Sequence, residues 1–283
     1  MEKESISCFV VLSHPQRLAV FRMLMRRYPD QVPAGEIADA LGLKASTTSV
    51  YLSALNSAKL ITQTRHGTSL RYQADTGVAA ALVDFLFNDC CRGRPDLCPP
   101  LKALSRKDEA SASSTTPYNV LFICTGNSAR SIFAESILRE LDASRFNAYS
   151  AGTAPGSELN PFALEMLDSK NHDTSMLRSK HISEFQSAKA PKMDFVFTVC
   201  NRAANEKCPS WDGQPISGHW GVPDPVQAQG SLIERRLAFQ QTYGALRNRI
   251  MAFAALPLET QTRLSLQAAV DDIAASDLEG PFQ

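Results

Sequence analysis

The sequence lacks long apolar runs, a net charge and a secretory leader, and each absence excludes a class of protein. Its longest apolar runs fall far short of the roughly 18 residues that a membrane-spanning helix needs, and no signal peptide opens the chain. Basic and acidic residues both number 29, so charge alone does not indicate a nucleic acid partner. Seven cysteines, an odd number, favour free thiols in a reducing compartment. We therefore expect a cytoplasmic protein without membrane association.

The length and a change in composition predict two domains. At 283 residues the chain is about twice the usual size of a domain. Residues 99–117 are rich in Ser, Thr, Ala, Lys and Asp, which is typical of a flexible linker. This division places a first domain at residues 1–98 and a second at residues 118–256. Residues 257–283 are expected to form a partly helical C-terminal tail, in which we identify no chemistry.

An apolar run from Val120 to Cys124 predicts a buried strand that ends on a cysteine. A polar loop follows, and an amphipathic helix begins near Arg130. A loop between a strand and a helix N-terminus turns its N–H groups toward one point, where the helix dipole favours a tetrahedral oxyanion. We expect the same field to lower the pKa of Cys124 and make it a nucleophile, while Arg130 offers a planar fork to the anion. The predicted oxyanion cradle comprises Thr125, Gly126, Asn127, Ser128, Ala129 and Arg130.

Two further cysteines and a carboxylate follow the cradle. Residues 194–200 predict a second buried strand, which again ends on a cysteine, and Cys208 stands eight residues beyond Cys200 across a polar segment. The pair is suited to passing electrons between thiols, although two unrelated free thiols would give the same pattern. Asp224 stands between two prolines. A carboxyl held over the cradle can protonate a leaving oxygen, but Asp-Pro also marks plain turns.

The Cys-x5-Arg-Ser pattern of Cys124, Arg130 and Ser131 resembles that of the low-molecular-weight tyrosine phosphatases and of the arsenate reductases that share their fold. The resemblance covers about residues 118–255 and implies an α/β domain with a parallel sheet. It also implies that the Ser131 hydroxyl supports the Cys124 thiolate and that Asp224 is the general acid. His219 and Trp220, which precede Asp224, together with the two upstream cysteines, resemble the reductases more than the phosphatases.

The resemblance implies a relay in which Cys124 attacks arsenate, Cys200 attacks Cys124 to release arsenite, and Cys208 then attacks Cys200. The resulting disulfide would be reduced by an external thiol system, thioredoxin or glutaredoxin, with no tightly bound cofactor. A phosphatase acting on phosphotyrosine is the alternative. A domain that only binds oxyanions is another.

Some reductases of this type hold a potassium ion near the loop. Asn127, Glu135 and Ser150 stand at matching positions, but the fourth position carries Lys180. An ammonium group can replace the ion, so we expect no metal in this protein.

The first ninety residues predict a winged helix-turn-helix, which is a mainly α fold. Apolar residues recur at helical spacing from His14 to Arg27. A second helix is predicted over residues 32–41, with Gly42 as its C-cap, and a third begins at Ala45. Residues 60–74 alternate around His66-Gly67, which indicates a hairpin.

This order of elements resembles the ArsR type of metal-responsive repressor over about residues 5–92. The matching segments are His14-Pro15-Gln16-Arg17, Ala38 and Leu41 before the turn, residues 46–55 and residues 60–72. The resemblance implies a homodimer, formed through this domain, that binds operator DNA with its third helix in the major groove. The alternative is a winged fold used for protein contact, since residues 1–92 carry ten basic and eight acidic residues, a net of +2. The candidate DNA contacts are Ser46, Thr47, Ser49, Tyr51, Arg65 and Arg71.

Three cysteines close this domain. Cys90 and Cys91 follow a predicted helix at residues 78–87, and a Gly- and Pro-containing turn lets Cys98 fold back on them. Three thiolates suit a soft ion such as arsenite, whereas structural zinc wants four ligands and no histidine lies between residues 67 and 171. Several ArsR-type repressors sense arsenite with a similar set, although three incidental thiols are possible. Cys8 is isolated and is expected in the core or on the surface.

These observations together predict a regulator fused to an enzyme. Arsenite would be the regulatory ligand of the first domain and the product of the second. The tether would then raise the local concentration of product near the sensor.

Overall fold

The computed structural model of the chain describes residues 2–92, 116–187, 189–206, 211 and 213–276. The chain divides into two compact units, Met1–Ser111 and Ala112–Gln283. Most of the predicted linker at residues 99–117 lies outside the described residues. Cys98 and Cys208 lie outside them as well, so the predictions that involve these two thiols have no structural counterpart here.

The first unit consists of helices around a small antiparallel sheet. The elements of this unit in chain order are α1 (Glu2–Leu12), α2 (Pro15–Arg27), β1 (Val32–Pro33), α3 (Ala34–Leu41), α4 (Ala45–Ser57), β2 (Ile61–His66), β3 (Ser69–Ala74), α5 (Thr76–Asp84) and a π-helical turn (Phe85–Cys90). The sheet has the strand order β1-β3-β2. The predicted helix-turn-helix is thus α3 and α4, and the predicted wing is the β2–β3 hairpin.

The boundaries of these elements follow from local chemistry. The His14 side chain accepts a hydrogen bond from the Gln16 N–H at the start of α2, and Gly42 ends α3 with a left-handed φ of 62°. The helix predicted from residue 32 starts too early. Val32 pairs with Tyr72 of β3 instead, and Pro33, which lacks an N–H, is the N-cap of α3. Helix α1 was not predicted; its Cys8 is 3% exposed and packs in the core of this unit.

The second unit is an α/β fold with a fully parallel four-stranded sheet in the order β5-β4-β6-β7. The predicted fold class of this half is confirmed. Its elements are β4 (Tyr118–Cys124), α6 (Arg130–Leu141), β5 (Phe146–Gly152), α7 (Pro161–Ser169), a 3-10 turn (Ile182–Phe185), β6 (Phe195–Thr198), α8 (Asn201–Asn205), β7 (Ile216–His219), a second 3-10 turn (Pro225–Gln227), α9 (Leu232–Ala254) and α10 (Arg263–Ser276).

The sheet brings the carboxyl ends of its strands to one edge, where open α/β sheets bind their ligands. The two central strands, β4 and β6, are hydrogen-bonded neighbours in register from Val120 opposite Phe195. Their carboxyl ends lead directly into Cys124 and Cys200. The topology therefore places the two cysteines on neighbouring strands. They are far apart in the sequence, since Thr125, which follows Cys124, lies 75 positions before Cys200.

Aromatic side chains pack the core beneath this edge. The Trp220 and Phe197 rings stack with their centroids 3.8 Å apart, and Phe253 of α9 lies against both of them. Trp220 is fully buried. The segment that follows β7 is therefore anchored to the core immediately before it reaches Asp224.

The C-terminal segment contributes to the same core. The helix predicted over residues 259–275 is α10, and its Val270 is fully buried. It packs so closely on β7 that a Cβ at Gly218 would lie 2.7 Å from the Val270 side chain. The segment beyond residue 257 is thus a structural layer of the domain as far as residue 276. Within the described residues, no helix combines the length and the apolar character that crossing a membrane requires.

Candidate active site

The loop after β4 wraps around the sulfur of Cys124. The Asn127 N–H donates a hydrogen bond to Cys124 Sγ at 3.0 Å, and Ser131 Oγ lies 2.9 Å from the same sulfur. Cys124 is only 2% exposed. Because α6 begins at Arg130, the loop from Thr125 to Ala129 occupies the N-terminal end of this helix. The structure thus gathers the nucleophile and the oxyanion cradle around one point.

Asn127 ties the loop to the neighbouring strand. Its φ of 43° lies in the left-handed region, which asparagine tolerates better than most residues. Its amide nitrogen donates to Ser131 Oγ and Ser150 Oγ, both at 2.9 Å, and its amide oxygen accepts from the Lys180 N–H at 2.7 Å. Gly152 is required beside it, because a Cβ there would lie 2.6 Å from the Thr125 carbonyl oxygen.

A buried ion pair supports this network from below. Lys180 Nζ lies 2.9 Å from Glu135 Oε2, and Ser150 donates to the same carboxylate oxygen. Arg139 pairs with the other oxygen of Glu135. Lys180 and Glu135 are both less than a tenth exposed. The Lys180 ammonium and the Ser150 hydroxyl thus meet at one oxygen of Glu135, while the replacement of an ion by this ammonium and the absence of a metal stay predictions.

Replacing Lys180 with methionine should lower the free energy of unfolding of this domain by about 2–3 kcal/mol, less than the full cost of breaking a buried pair because Arg139 still pairs with Glu135. The change leaves the Glu135 carboxylate buried with Arg139 as its remaining cationic partner, and breaking a buried pair typically costs about 3–5 kcal/mol. Both tryptophans of the chain, Trp211 and Trp220, belong to this domain. Urea denaturation followed by tryptophan fluorescence therefore measures its unfolding.

The matched control is Arg178→Met, which removes a surface ion pair with Glu184 in the same domain. Both of its side chains are well exposed, so a loss of less than about 1 kcal/mol is expected. Equal losses in the Lys180→Met and Arg178→Met variants would contradict a special role for the buried pair.

Arg130 and Asp224 close the cradle from above. Arg130 Nη2 lies 2.8 Å from Asp224 Oδ2, and Arg130 Nη1 donates to the Val222 carbonyl at 3.4 Å. The Asp224 side chain also accepts a hydrogen bond from the Val226 N–H, which starts the second 3-10 turn. The predicted anion-binding guanidinium and the predicted general acid are thus in direct contact. An incoming oxyanion has to compete with the Asp224 carboxylate for Arg130.

The expectation of a lowered pKa at Cys124 is wrong for this closed cradle. Burial raises the pKa of the Cys124 thiol, and the neighbouring Cys200 side chain raises it further. The Ser131 hydroxyl, the Arg130 charge and the Asn127 N–H oppose this rise but do not reverse it. The expectation rested on the loop dipoles and Arg130 and omitted the cost of removing the sulfur from water.

Cys200 lies at the rim of the cradle. Its sulfur is 3.5 Å from Thr125 Oγ1, and the side chain is 1% exposed. Cys200 is also the N-cap of the short helix α8, where its sulfur accepts a hydrogen bond from the Ala203 N–H at 3.4 Å. A second buried thiol therefore adjoins the loop that holds the first.

Two residues that the sequence did not indicate, Asn201 and Arg249, hold the segments around Cys200 and Asp224 in place. The Asn201 side chain bonds to His219 Nε2, and Arg249 of α9 donates from Nη1 to the Gly221 carbonyl at 3.2 Å. No local pattern marks either residue, because each contact joins segments that are distant in the sequence.

The candidate DNA contacts of the first unit lie on α4 and the wing. Ser46 and Ser49 are exposed on α4, and Thr47 and Tyr51 are half-buried. The Tyr51 hydroxyl donates to Gln16 Oε1 at 2.5 Å, so α2 orients this side chain. Arg65 is exposed on β2, whereas Arg71 lies half-buried on the central strand β3.

The described cysteines of the proposed sensor stand where this unit leaves its last helical turn. Cys90 ends the π-helical turn and is exposed, and Cys91 is half-buried. The described residues contain no group of three His, Cys, Asp or Glu side chains that could hold a metal ion. The third predicted ligand, Cys98, lies outside them.

Comparison with known proteins identifies both units. The sequence matches a helix-turn-helix domain over residues 12–64 and the low molecular weight phosphotyrosine protein phosphatase family over residues 119–264, which is more than half of the chain. An arsenate reductase of Oceanobacillus iheyensis is 36% identical over 135 residues, which cover 48% of this chain and 94% of that protein. A Bacillus subtilis arsenate reductase is 35% identical over 135 residues, with the same two coverages.

A solved structure described as an arsenate reductase in the phosphate binding state is 25% identical to this chain. It covers 54% of this chain and 98% of its own, with a TM-score of 0.40. On the strength of the family match and the two sequence relatives, this chain belongs to the low molecular weight phosphotyrosine protein phosphatase family, in its arsenate reductase group, and carries a helix-turn-helix domain ahead of that domain.

Proposed function

We propose that the C-terminal domain reduces arsenate to arsenite through a thiol relay. The observation that carries the proposal is the second buried thiol, Cys200, at the rim of the cradle that surrounds Cys124. Hydrolysis of a phosphate ester needs one nucleophile, whereas reduction of arsenic from the pentavalent to the trivalent state needs two electrons from a second thiol. Two relatives that share over a third of their residues with this domain are named arsenate reductases.

The relay balances atoms and electrons in three steps. The sulfur of Cys124 first displaces water from arsenate, which Asp224 assists by protonating the leaving oxygen, and forms a sulfur–arsenic bond. The Cys200 thiol then attacks the sulfur of Cys124. A disulfide forms, the sulfur–arsenic bond breaks with its electron pair left on arsenic, and arsenite departs with the thiol proton. Cys208 next attacks Cys200, so the Cys124–Cys200 bond breaks, a Cys200–Cys208 disulfide forms and Cys124 leaves as the thiol. An external dithiol then reduces the Cys200–Cys208 disulfide and is itself oxidised.

The test is arsenate reduction by the purified full chain, with thioredoxin and glutaredoxin systems supplied separately as electron donors. We expect arsenite to form with at least one donor, and peptides quenched during turnover to contain a Cys124–Cys200 or Cys200–Cys208 bridge. Hydrolysis of aryl phosphate without any arsenite would favour the phosphatase alternative. Arsenate binding without either reaction would favour a domain that only binds oxyanions.

We further propose that the N-terminal domain is a DNA-binding repressor that arsenite releases. The helix-turn-helix match and the exposed polar side chains of α4 support DNA binding. A homodimer is supported by large apolar side chains that α1, α5 and the π-helical turn leave exposed, which a second copy of this domain would cover. These side chains, each at least two-fifths exposed, are Ile6, Val10, Val83 and Leu86.

Replacing both Cys90 and Cys91 with serine should leave DNA binding intact and abolish the response to arsenite. Hydroxyl groups cannot replace thiolates as ligands of a soft trivalent ion. A mobility-shift titration on the upstream DNA of the gene, with and without arsenite, measures both properties. Cys200→Ser is the control, because it removes a thiol from the other domain and should still release DNA. Arsenite release in the Cys90/Cys91 double variant would exclude this pair as the sensor.

We also propose that the enzyme supplies its own regulator with ligand. A chain split within residues 99–117 tests this idea, because tethering matters only if product reaches the sensor before it diffuses away. If the split chain gives the same arsenate induction curve as the intact chain, the tether does not deliver arsenite to the sensor. That result would leave the proposed reductase and the proposed repressor unaffected.

A further inference from the structure

The His219 imidazole contacts a residue on each side of Cys200 in the sequence. Its Nδ1 lies 2.8 Å from Thr198 Oγ1, two residues before the cysteine, and its Nε2 lies 3.3 Å from Asn201 Oδ1, one residue after it. Resting on the proposed reduction of arsenate, we propose that His219 is a positioning residue that holds the Cys200 thiol at the oxyanion cradle for attack on Cys124.

Both ring nitrogens of His219 have hydrogen-bond partners. The amide oxygen of Asn201 can only accept, so His219 Nε2 donates to it. The Thr198 hydroxyl is the partner of Nδ1. Both bonds are satisfied at once, so the ring links the end of β6 to the first residue of α8.

The surroundings leave the ring little freedom to move. His219 is 1% exposed and is followed by Trp220, whose ring stacks on Phe197. Gly221 comes next, and a Cβ there would lie 2.5 Å from Asn201 Oδ1 and 2.7 Å from His219 Nε2. The chain therefore folds tightly over this pair of groups, which is possible only because residue 221 is glycine.

We call the two hydrogen bonds from His219 to Thr198 and Asn201 the His219 bracket. The bracket acts on the step in which Cys200 attacks the arsenate adduct on Cys124. Cys200 caps a helix of only five residues, and the thiol has to leave this cap for a disulfide to form. Correct orientation of reacting groups accounts for large rate factors, and a displacement of about 1 Å can cost a hundredfold. By holding Asn201, His219 keeps the first turn of α8, and with it Cys200, in contact with Thr125 until the adduct forms.

The test separates the disulfide step from the chemistry of the cradle. Asn201→Ala breaks the bracket from an exposed position, and His219→Ala breaks it from the buried side. We expect each to slow formation of the Cys124–Cys200 disulfide in single-turnover quench experiments by about tenfold. The kcat for arsenate should fall with little change in KM. We also expect the Cys124 cradle to hydrolyse phenyl phosphate slowly, and this reaction, which does not use Cys200, should stay within about twofold.

Two further variants make the result specific to the bracket. His219→Gln keeps a donor for Asn201 and an acceptor for Thr198, so we expect it to recover most of the lost rate. Arg202→Ala alters the neighbouring residue of α8, whose side chain is 80% exposed, and should match the unaltered chain.

The outcomes distinguish this inference from the function on which it rests. An unaltered chain that forms no Cys124–Cys200 disulfide with arsenate would overturn the proposed reductase. A normal disulfide rate in Asn201→Ala would overturn the role of His219 and leave the reductase intact. If phenyl phosphate hydrolysis falls as much as the disulfide rate, or if Arg202→Ala is equally slow, the bracket is only a structural support and the inference fails.

Discussion

Replacing Cys200 with serine should abolish arsenate reduction while leaving phenyl phosphate hydrolysis within about twofold of the unaltered chain. Serine has nearly the shape of cysteine, so the cradle around Cys124 and the contact with Thr125 should persist. A hydroxyl group cannot form a disulfide, however, and arsenic then has no source of two electrons. We expect arsenite formation to fall at least a hundredfold, measured with the donor that supports the unaltered chain best.

The same variant should trap the reaction at its first intermediate. Mass spectrometry of the quenched protein should find an arsenate adduct on Cys124 and no bridge from this residue. Cys90→Ser, which removes an exposed thiol of the other domain, is the matched control and should reduce arsenate normally. Undiminished arsenate reduction by the Cys200→Ser variant would contradict the relay. Loss of both arsenate reduction and phenyl phosphate hydrolysis would mean that the substitution disturbs the cradle.

Replacing Asp224 with asparagine should lower kcat by about a hundredfold and, at the same time, tighten the binding of inorganic phosphate. Loss of a general acid costs about 10²–10⁴-fold in rate, for arsenate and for phenyl phosphate alike. The gain in affinity arises because Asp224 now lies 2.8 Å from Arg130 and competes with anions for it. Inhibition by phosphate, measured against phenyl phosphate, should strengthen several-fold.

The pH dependence of Cys124 should change with this substitution in a direction that the geometry defines. Burial raises the pKa of Cys124, and the Arg130 charge opposes the rise. Without the carboxylate, the positive charge of Arg130 is no longer offset, so the thiolate becomes more favourable and the pKa falls. The pH profile of Cys124 alkylation by iodoacetamide should therefore shift to lower pH in Asp224→Asn.

Asp272→Asn provides the control for this shift, because it removes an exposed carboxylate on α10. Its alkylation profile and its inhibition by phosphate should match those of the unaltered chain. An unchanged profile in Asp224→Asn would show that the ion pair does not set the ionisation of the nucleophile. Weaker phosphate binding in that variant would show that Asp224 helps to hold the anion.

Local sequence patterns predicted most of the helices and strands, because the apolar spacing of each element follows from its own periodicity. Apolar runs that end in cysteine predicted two buried strands, and the helical spacing of residues 14–27 predicted α2. The prediction missed α1, and it extended a helix back to Val32, where pairing with β3 overrides the local preference. Strand pairing joins residues that are far apart in the sequence, so a local pattern does not reveal it.

The sequence by itself determined which chemical groups the protein has and in what order. Cys124, Arg130 and Ser131 at their spacing specify an oxyanion cradle, because a strand, a loop and a helix start form it within one short segment. The helix-turn-helix and its wing follow in the same way from adjacent elements. Each of these features depends on interactions between residues that are close in the sequence, so the sequence is enough to predict it.

Only the tertiary structure decided how these groups act on each other. It pairs Arg130 with Asp224, Lys180 with Glu135 across 45 positions, and His219 with Asn201 across 18. Burial then reversed the expected direction of the pKa shift at Cys124. Desolvation and ion pairing depend on which side chains the parallel sheet and its connections bring within a few ångströms, and that proximity exists only after the chain has folded.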